Sequence, residues 1–296
     1  MTKVSIVVAA YQAASTIGRT VDSLLACRGA DAAEIIVVDD GSDDTTAAAA
    51  QRAGVRVHRI SHRGRSAALN EGLSLATGEV VLFTDADCVV PPTWIENTMA
   101  ELGSCDGVGG NLIPSRGTVV ELAKVLRYIE EFERPADLVG DYRGICLNGN
   151  NMALRRSALD AVGGFDEGFV HGADADLTRR LLAQGFRLRR TTATHVTHLK
   201  VDDLRSFLQT MWRRGSTVRF GMKKGDENVL TLARALALSP VKWLFIDLFR
   251  VPRLRALGGV GRGPHIWLTP FVNLFGGIAT GLGRIHFFRR FRKELP

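Results

Sequence analysis

The run Val4-Ser5-Ile6-Val7-Val8-Ala9-Ala10 decides the reading of the fold. It is short and almost continuously apolar, and Val4, Ile6, Val7 and Val8 are β-branched. That combination suits a strand covered on both faces. Residues 34–38, 55–60 and 80–84 repeat the pattern. Between these runs, residues 15–27, 44–52 and 66–76 carry apolar side chains at three- and four-residue spacing, the period of a helix with one buried face. Strands alternating with helices of this length predict right-handed βαβ units, a parallel sheet and helices on both of its faces. Further on, residues 91–102 open on two prolines and read as a helix, as do 119–134, 157–162 and 175–184. Residues 145–154 read as a strand, and 187–192 and 195–198 as strand or loop. Beyond Asp202 the chain turns helical, apolar and basic, which sets a soft boundary near residue 200.

Composition narrows the class. With 296 residues, 46% of them hydrophobic and 23% charged, the chain buries a sizeable core and is not a disordered one. Four cysteines (Cys27, Cys88, Cys105, Cys146) lack the spacing of a zinc ribbon or a disulfide scaffold and fit a reducing compartment. Lys3 and the seven residues after it fall at the bottom of the range for a secretory signal, and no small-residue cleavage pattern follows. The expectation is a mature protein that starts at Met1 and stays in the cytosol. Net charge is +7, but it is unevenly spread. Residues 1–200 hold 21 basic and 25 acidic side chains, and residues 201–296 hold 17 basic and 6 acidic, a net +11. An anionic partner would therefore meet the C-terminal third.

Two acidic motifs leave predicted strands. In Val37-Val38-Asp39-Asp40-Gly41-Ser42-Asp43-Asp44 the carboxylates face the crevice where open α/β sheets bind ligands. Asp39 or Asp40 there suits a base N–H or a ribose hydroxyl; a cap for the following helix is the competing reading. In Phe83-Thr84-Asp85-Ala86-Asp87, two carboxylates at the end of a buried strand repel each other unless a cation offsets them. Mg²⁺ or Mn²⁺ takes oxygen ligands and bridges to phosphates, so a metal is expected there. Gly107-Val-Gly-Gly110 lacks the spacing of a dinucleotide loop, and no Gly-Lys-Ser/Thr phosphate loop is present.

These motifs, with Gly64-Arg-Ser-Ala-Ala-Leu-Asn-Glu-Gly72, Asn148-Gly-Asn-Asn-Met-Ala-Leu-Arg155, Gly163-Gly-Phe-Asp-Glu167 and Asp174-Ala-Asp-Leu177 followed by Arg180-Leu181, resemble family 2 glycosyltransferases in order and spacing. The resemblance covers about residues 3–220. It implies a GT-A fold, a Rossmann-like, mostly parallel α/β sheet with flanking helices, and transfer from a nucleotide-diphosphate sugar with inversion. In layout the chain looks most like membrane-associated enzymes of cell-envelope polysaccharide and glycolipid synthesis, of the succinoglycan type. By position, Tyr11 and Asp40 match base-contacting residues, with Asp39 beside them, and Arg65 lies in the stretch that approaches the nucleotide. Asp85 matches the residue near ribose and metal, Asp87 the metal ligand, and Asp174 the general base. Family members usually carry Glu before that base; here it is Ala173. His198 matches a histidine that some relatives place near metal and diphosphate, which makes it a candidate further metal ligand beside Asp87, with a structural histidine as the competing reading. His195 and His198 do not form a zinc-protease pair, since the intervening Glu and the helical spacing are missing. Gln209-Thr-Met-Trp-Arg-Arg-Gly215 resembles the helix after that histidine but not the Gln-x-x-Arg-Trp of processive synthases.

The expected organisation is a catalytic domain at 1–200, its nucleotide half at about 1–110 and its acceptor half at 111–200, with a membrane-associating region at 201–296. Residues 263–283 contain no Asp, Glu, Lys or Arg but include Pro264, Pro270, Asn273 and five glycines. That favours helices lying on or dipping into a membrane over one spanning it. Arg250, Arg253, Arg255, Arg262, Arg284, Arg289, Arg290, Arg292 and Lys293 suit an anionic cytosolic leaflet, so the expected place is the cytoplasmic face of the cell membrane. The expected partners are a UDP- or GDP-sugar and a lipid-linked or glycan acceptor, and no nucleic acid. A basic surface for nucleic acid should interleave aromatics in a known module, and none is found. A sugar nucleotidyltransferase is the other enzyme class considered. It would resemble a Gly-rich basic loop after the first strand, where residues 9–18 have no Lys or Arg.

Overall fold

A computed structural model describes residues 2–114, 118–127, 136–138, 147–169, 172–216, 244–249, 251–252 and 267–291. The chain divides into two units, residues 1–113 with 132–200, and residues 114–131 with 201–296. The division expected from sequence, 1–200 and 201–296, differs from it over residues 114–131. Cys146, Arg250, Arg253, Arg255, Arg262, Arg292 and Lys293 lie outside the described residues, as do residues 230–243 of a further apolar stretch, 230–249, that Pro240 breaks.

The first unit holds the sheet. Strands β1 (Val4–Ala10), β2 (Ala33–Asp39), β3 (Val55–Arg59) and β4 (Val80–Asp85) alternate with helices α1 (Ile17–Leu25), α2 (Thr46–Ala50) and α3 (Arg65–Leu75). All three pairings among these strands, β1 with β2, β1 with β4 and β2 with β3, are parallel. After β4 come β5 (Cys88–Val89), α4 (Trp94–Leu102), β6 (Gly107–Pro114), α5 (Val119–Arg127), β7 (Ala136–Leu138), β8 (Asn151–Arg155), α6 (Arg156–Val162), α7 (Ala173–Ala183) and β9 (Leu188–His198). The sheet order is β3-β2-β1-β4-β8-β6-β9-β5, with β7 paired to β9. The parallel half is thus the first four strands, and the sheet continues antiparallel through β8, giving a mixed α/β sheet with flanking helices.

Successive strand residues point to opposite faces, and both faces are filled. Ile6, Val8, Ile35, Val37 and Leu82 pack with α1 and Trp94 in one core cluster. Val7, Ile36, Val38, Val81 and Phe83 pack with Leu69, Leu159, Phe165, Leu177 and Leu181 in the other. Phe165 meets Phe83 edge-on, with centroids 5.4 Å apart, a geometry worth about 0.5–1.5 kcal/mol beyond its area. Asparagine side chains build the turn into β8. Asn148 Nδ2 donates to Gly110 O, and Asn151 accepts from the buried Trp94 indole at 2.8 Å.

The second unit, in its described parts, is helical. Helices α5, α8 (Leu204–Ser216) and α9 (Thr269–Phe291) meet through Val120, Phe207, Met211, Val272 and Ala279. A Cβ at Gly276 would stand 2.8 Å from the Phe207 ring, so glycine lets α9 approach that ring closely. The buried Asn273 Nδ2 donates to Ala123 O and to Asp247 Oδ2, both at 2.9 Å. No helix of the described residues is long and apolar enough to cross a membrane.

Candidate active site

Parallel register brings the predicted site residues together. Ala10 of β1 pairs with Asp39 of β2, and Ala9 with Asp85 of β4. Tyr11, Asp39–Asp40 and Asp85–Asp87 therefore leave the sheet at one edge, the carboxyl edge where such sheets hold ligands.

On the β2 side the two aspartates are buried. Asp39 accepts from Ser42 N at 3.1 Å and faces Arg59 Nε at 3.4 Å. Asp40 accepts from the backbone N–H of Arg63 and of Gly64, each at 2.8 Å, and meets His62 Nδ1 at 2.9 Å. The carboxylates tie the β2 turn to the 62–64 loop, and their oxygens are largely spent on that. Gly41 makes the close approach possible: its φ is +73°, and a Cβ there would lie 2.7 Å from His62 N. The flat surface exposed at this end belongs to Tyr11, about half exposed, stacked on the His62 ring at 4.2 Å and 24°. His62 is a residue the sequence reading passed over. Its only signal was its place just before Arg63-Gly64-Arg65, where nothing marks it as aromatic packing for Tyr11.

The second cluster centres on Arg65, at the start of α3. Its Nε and an Nη each donate to Asp85 Oδ1, at 3.1 and 2.5 Å, and that Nη also donates to Gly149 O at 3.0 Å. Asp174, in the first turn of α7, accepts from Gly149 N at 3.2 Å. Burial alone would weaken the guanidinium's hold on its proton, but Asp85 first, then Asp174 and Asp87, push its pKa further up. Three carboxylates from two separate elements thus surround one arginine.

Asp87 faces the remaining partner. Its Oδ2 lies 3.2 Å from His198 Nε2 at the end of β9, and β9 reaches it because β5 pairs antiparallel with β9, Cys88 opposite His198. Burial would raise the Asp87 pKa, but His198 and Lys200 overcome this and hold it low. His198 Nδ1 sits 2.9 Å from Lys200 O. A carbonyl only accepts, so Nδ1 carries the proton, and in the neutral ring Nε2 presents a lone pair to a carboxylate. Two electron pairs face to face call for a proton or a cation between them. Ligand atoms of Asp85, Asp87 and Cys88 also lie within 4.8 Å of one another. Burial, with Asp85 and Asp87 alongside, drives the Cys88 thiol pKa strongly upward. The carboxylate oxygens and the imidazole are donors of the kind that would fit Mg²⁺ or Mn²⁺.

Asp176 sits apart from this cluster in chemistry. It is 2% exposed, and its carboxylate is engaged by Arg179 at 2.9 Å and Arg180 at 2.6 Å. Arg180 also donates to the carbonyls of Val162 and Gly164, so Asp176 anchors the 162–164 turn. Both of its oxygens are thus held by guanidinium groups.

Comparison with known proteins follows the same lines. The family model described as Glycosyl transferase family 2 matches residues 5–163. A pre-mycofactocin glycosyltransferase of Mycobacterium tuberculosis is 28% identical over 201 residues, 65% of this chain and 42% of that protein. The chain thus spans less than half the length of that curated relative. Among solved structures, the mannosyltransferase PcManGT of Pyrobaculum calidifontis, in complex with GDP-Man and Mn²⁺, superposes with a TM-score of 0.65 at 19% identity, over 95% of this chain and 86% of that one. S. aureus TarS 1-349 in complex with UDP-GlcNAc does so with a TM-score of 0.56 at 16% identity, over 99% and 92%. At these identities the likeness is one of fold.

Proposed function

The chain belongs to glycosyl transferase family 2, and on that premise we propose that it moves a sugar from a UDP- or GDP-sugar to a lipid-linked or glycan acceptor, with inversion, in cell-envelope polysaccharide or glycolipid synthesis. Membership in this family favours sugar transfer over the sugar nucleotidyltransferase and nucleic-acid-binding alternatives. The observation that carries the reading is the gathering of Asp85, Asp87 and Asp174 around Arg65 at the carboxyl edge of the parallel strands. The GDP-Man and UDP-GlcNAc complexes of the two structural neighbours support a nucleoside diphosphate sugar as donor.

The residues divide the work by chemistry. The Tyr11–His62 stack offers the base a flat apolar surface, while Asp39 and Asp40 keep the loop beneath it in shape. Arg65 supplies a fixed positive charge for the diphosphate. Asp87 and His198 would hold Mg²⁺ or Mn²⁺, with Asp85 beside them. When bound, such an ion neutralises charge on the diphosphate leaving group. Asp174 is the one carboxylate of the cluster with no part in that binding. It takes the proton from the acceptor hydroxyl as the new bond forms, for which one carboxylate suffices.

Calorimetry with a panel of UDP- and GDP-sugars, with and without Mn²⁺, tests the reading. One donor class should bind more tightly with Mn²⁺, and Asp87→Ala should abolish that enhancement. Equal enhancement in variant and wild type would remove Asp87 from the metal site, and no binding by any donor would overturn the proposal.

A further inference from the structure

Helix α9 has two apolar faces, and among the described residues of the second unit only one of them is packed. The inner face is set by Asn273 on Ala123 and Asp247, by Gly276 against Phe207, and by Val272 and Ala279 against Phe207, Met211 and Val120. The other face carries Leu268 just before the helix, then Phe271, Phe275, Ile278 and Leu282, all between 40 and 55% exposed. Their spacing of three, four, three and four residues places them in one stripe along about four turns. Trp267 is exposed at its start, and Phe249, in the same unit, is 84% exposed. A contiguous patch of this kind marks a surface made for another apolar medium.

We infer that this stripe is a docking face for an anionic lipid surface, on which α9 lies in the plane of the interface. Charge selects the occupant. The helix contains no Asp or Glu from Thr269 to Phe291, its sequence ends in Arg284, Arg289 and Arg290, and residues 201–296 carry a net +11. A second copy of the chain would bring +11 against +11, whereas an anionic leaflet offers both the apolar medium and the opposite charge. The four glycines of α9, Asn273 and the polar contacts of its inner face make it a poor membrane span, and no described helix qualifies as one. An aromatic residue at the start of the stripe, amphipathic and half exposed as Trp267 is, suits the headgroup level. The inference does not rest on sugar transfer, and its test needs no turnover.

The full chain is floated through a density gradient with vesicles of phosphatidylcholine, with or without phosphatidylglycerol. Wild type should rise with the anionic vesicles and lose at least about tenfold of that binding on neutral ones, as expected for interfacial helices held by apolar area and charge together. The double substitution Phe275→Glu/Ile278→Glu should lose it likewise while circular dichroism stays unchanged. Wild type that remains at the bottom, or a folded double variant that floats equally well, overturns the inference. So does light scattering that shows a wild-type dimer split by the substitutions in a protein indifferent to vesicles. Should the double variant unfold, brominated lipid decides. Quenching of tryptophan fluorescence that is reduced in Trp267→Phe supports the face, and quenching identical in the two proteins overturns it.

Discussion

At the scale of single residues, two aspartates two positions apart on α7 have different partners. Among the described residues Asp174 accepts from two backbone N–H groups, so its carboxylate keeps acceptor capacity. Asp176 has both oxygens on guanidinium groups. Asp174→Asn is therefore expected to bind donor and metal normally and to lose about 10²–10⁴-fold in transfer, the share of general-base catalysis. Asp176→Asn is expected to lower stability by about 1.5–3 kcal/mol, the range for hydrogen bonds to charged groups, with transfer by the folded fraction near normal. Parallel rates and urea midpoints check both. A collapse of transfer in folded Asp176→Asn would move the base there. The spacing Asp-x-Asp could not separate the two, because which acid has both oxygens on guanidinium groups depends on Arg180 turning back to the 162–164 carbonyls.

At the scale of elements, the four parallel strands and α1 to α3 were legible because unbroken apolar runs and three-to-four spacing are both strong patterns. Strand β6 was not, since Gly107-Val-Gly-Gly110 offers few side chains to carry a period. Its glycines answer to neighbours: a Cβ at Gly110 would collide with Thr194 and Asn151. Strand β9 runs unbroken from Leu188 to His198 where the sequence read two pieces, because Thr191 and Thr194 are buried but polar and give the run no continuous apolar pattern. That continuity is what delivers His198 to Asp87. That Asp85 and Asp87 leave the sheet beside Asp39 and Asp40 was readable from motif order; the Tyr11–His62 stack was not, since it depends on a loop folding back over β2.

Two predictions belong at this scale. Gly72 packs α3 against the sheet, and a Cβ there would overlap Val7 and approach Val38 to 3.3 Å. Alanine ordinarily gains up to about 1 kcal/mol over glycine inside a helix. Here the overpacking, about 1–3 kcal/mol, should win, so Gly72→Ala is expected to lower the urea midpoint. Glu34 accepts from Ser5 Oγ at 2.7 Å and from Thr77 N and Oγ1, tying the starts of β1, β2 and β4. Burial would raise its pKa, but these hydrogen bonds outweigh it and bring the value below the ordinary one. A carboxylate depressed on folding contributes stability above its unfolded pKa and loses it as pH falls through the folded value. Wild type should thus exceed Glu34→Gln in stability at neutral pH, with the gap closing as pH drops below about 4. A gap that stays constant from pH 7 to pH 3 in urea titrations would contradict this.

At the scale of the whole molecule, the parallel strands set a site at one sheet edge, and the charge excess sits in the other unit. Within that second unit, Asn273 has a consequence beyond its hydrogen bonds. Helix α9 is apolar nearly all round and rich in glycine, a sequence that could slide or roll along its neighbours at little cost in contact. One buried amide acts as a locating pin. A slip by a single turn, about 5.4 Å, would carry it off Ala123 O and Asp247 and strand it in an apolar layer. The pin therefore chooses which stripe is sealed inside and which is left facing out. Replacing it with leucine should leave the helix content intact while a spin label at position 278 reports more than one environment, where the native helix gives one; a single environment in both would mean that packing alone does the choosing.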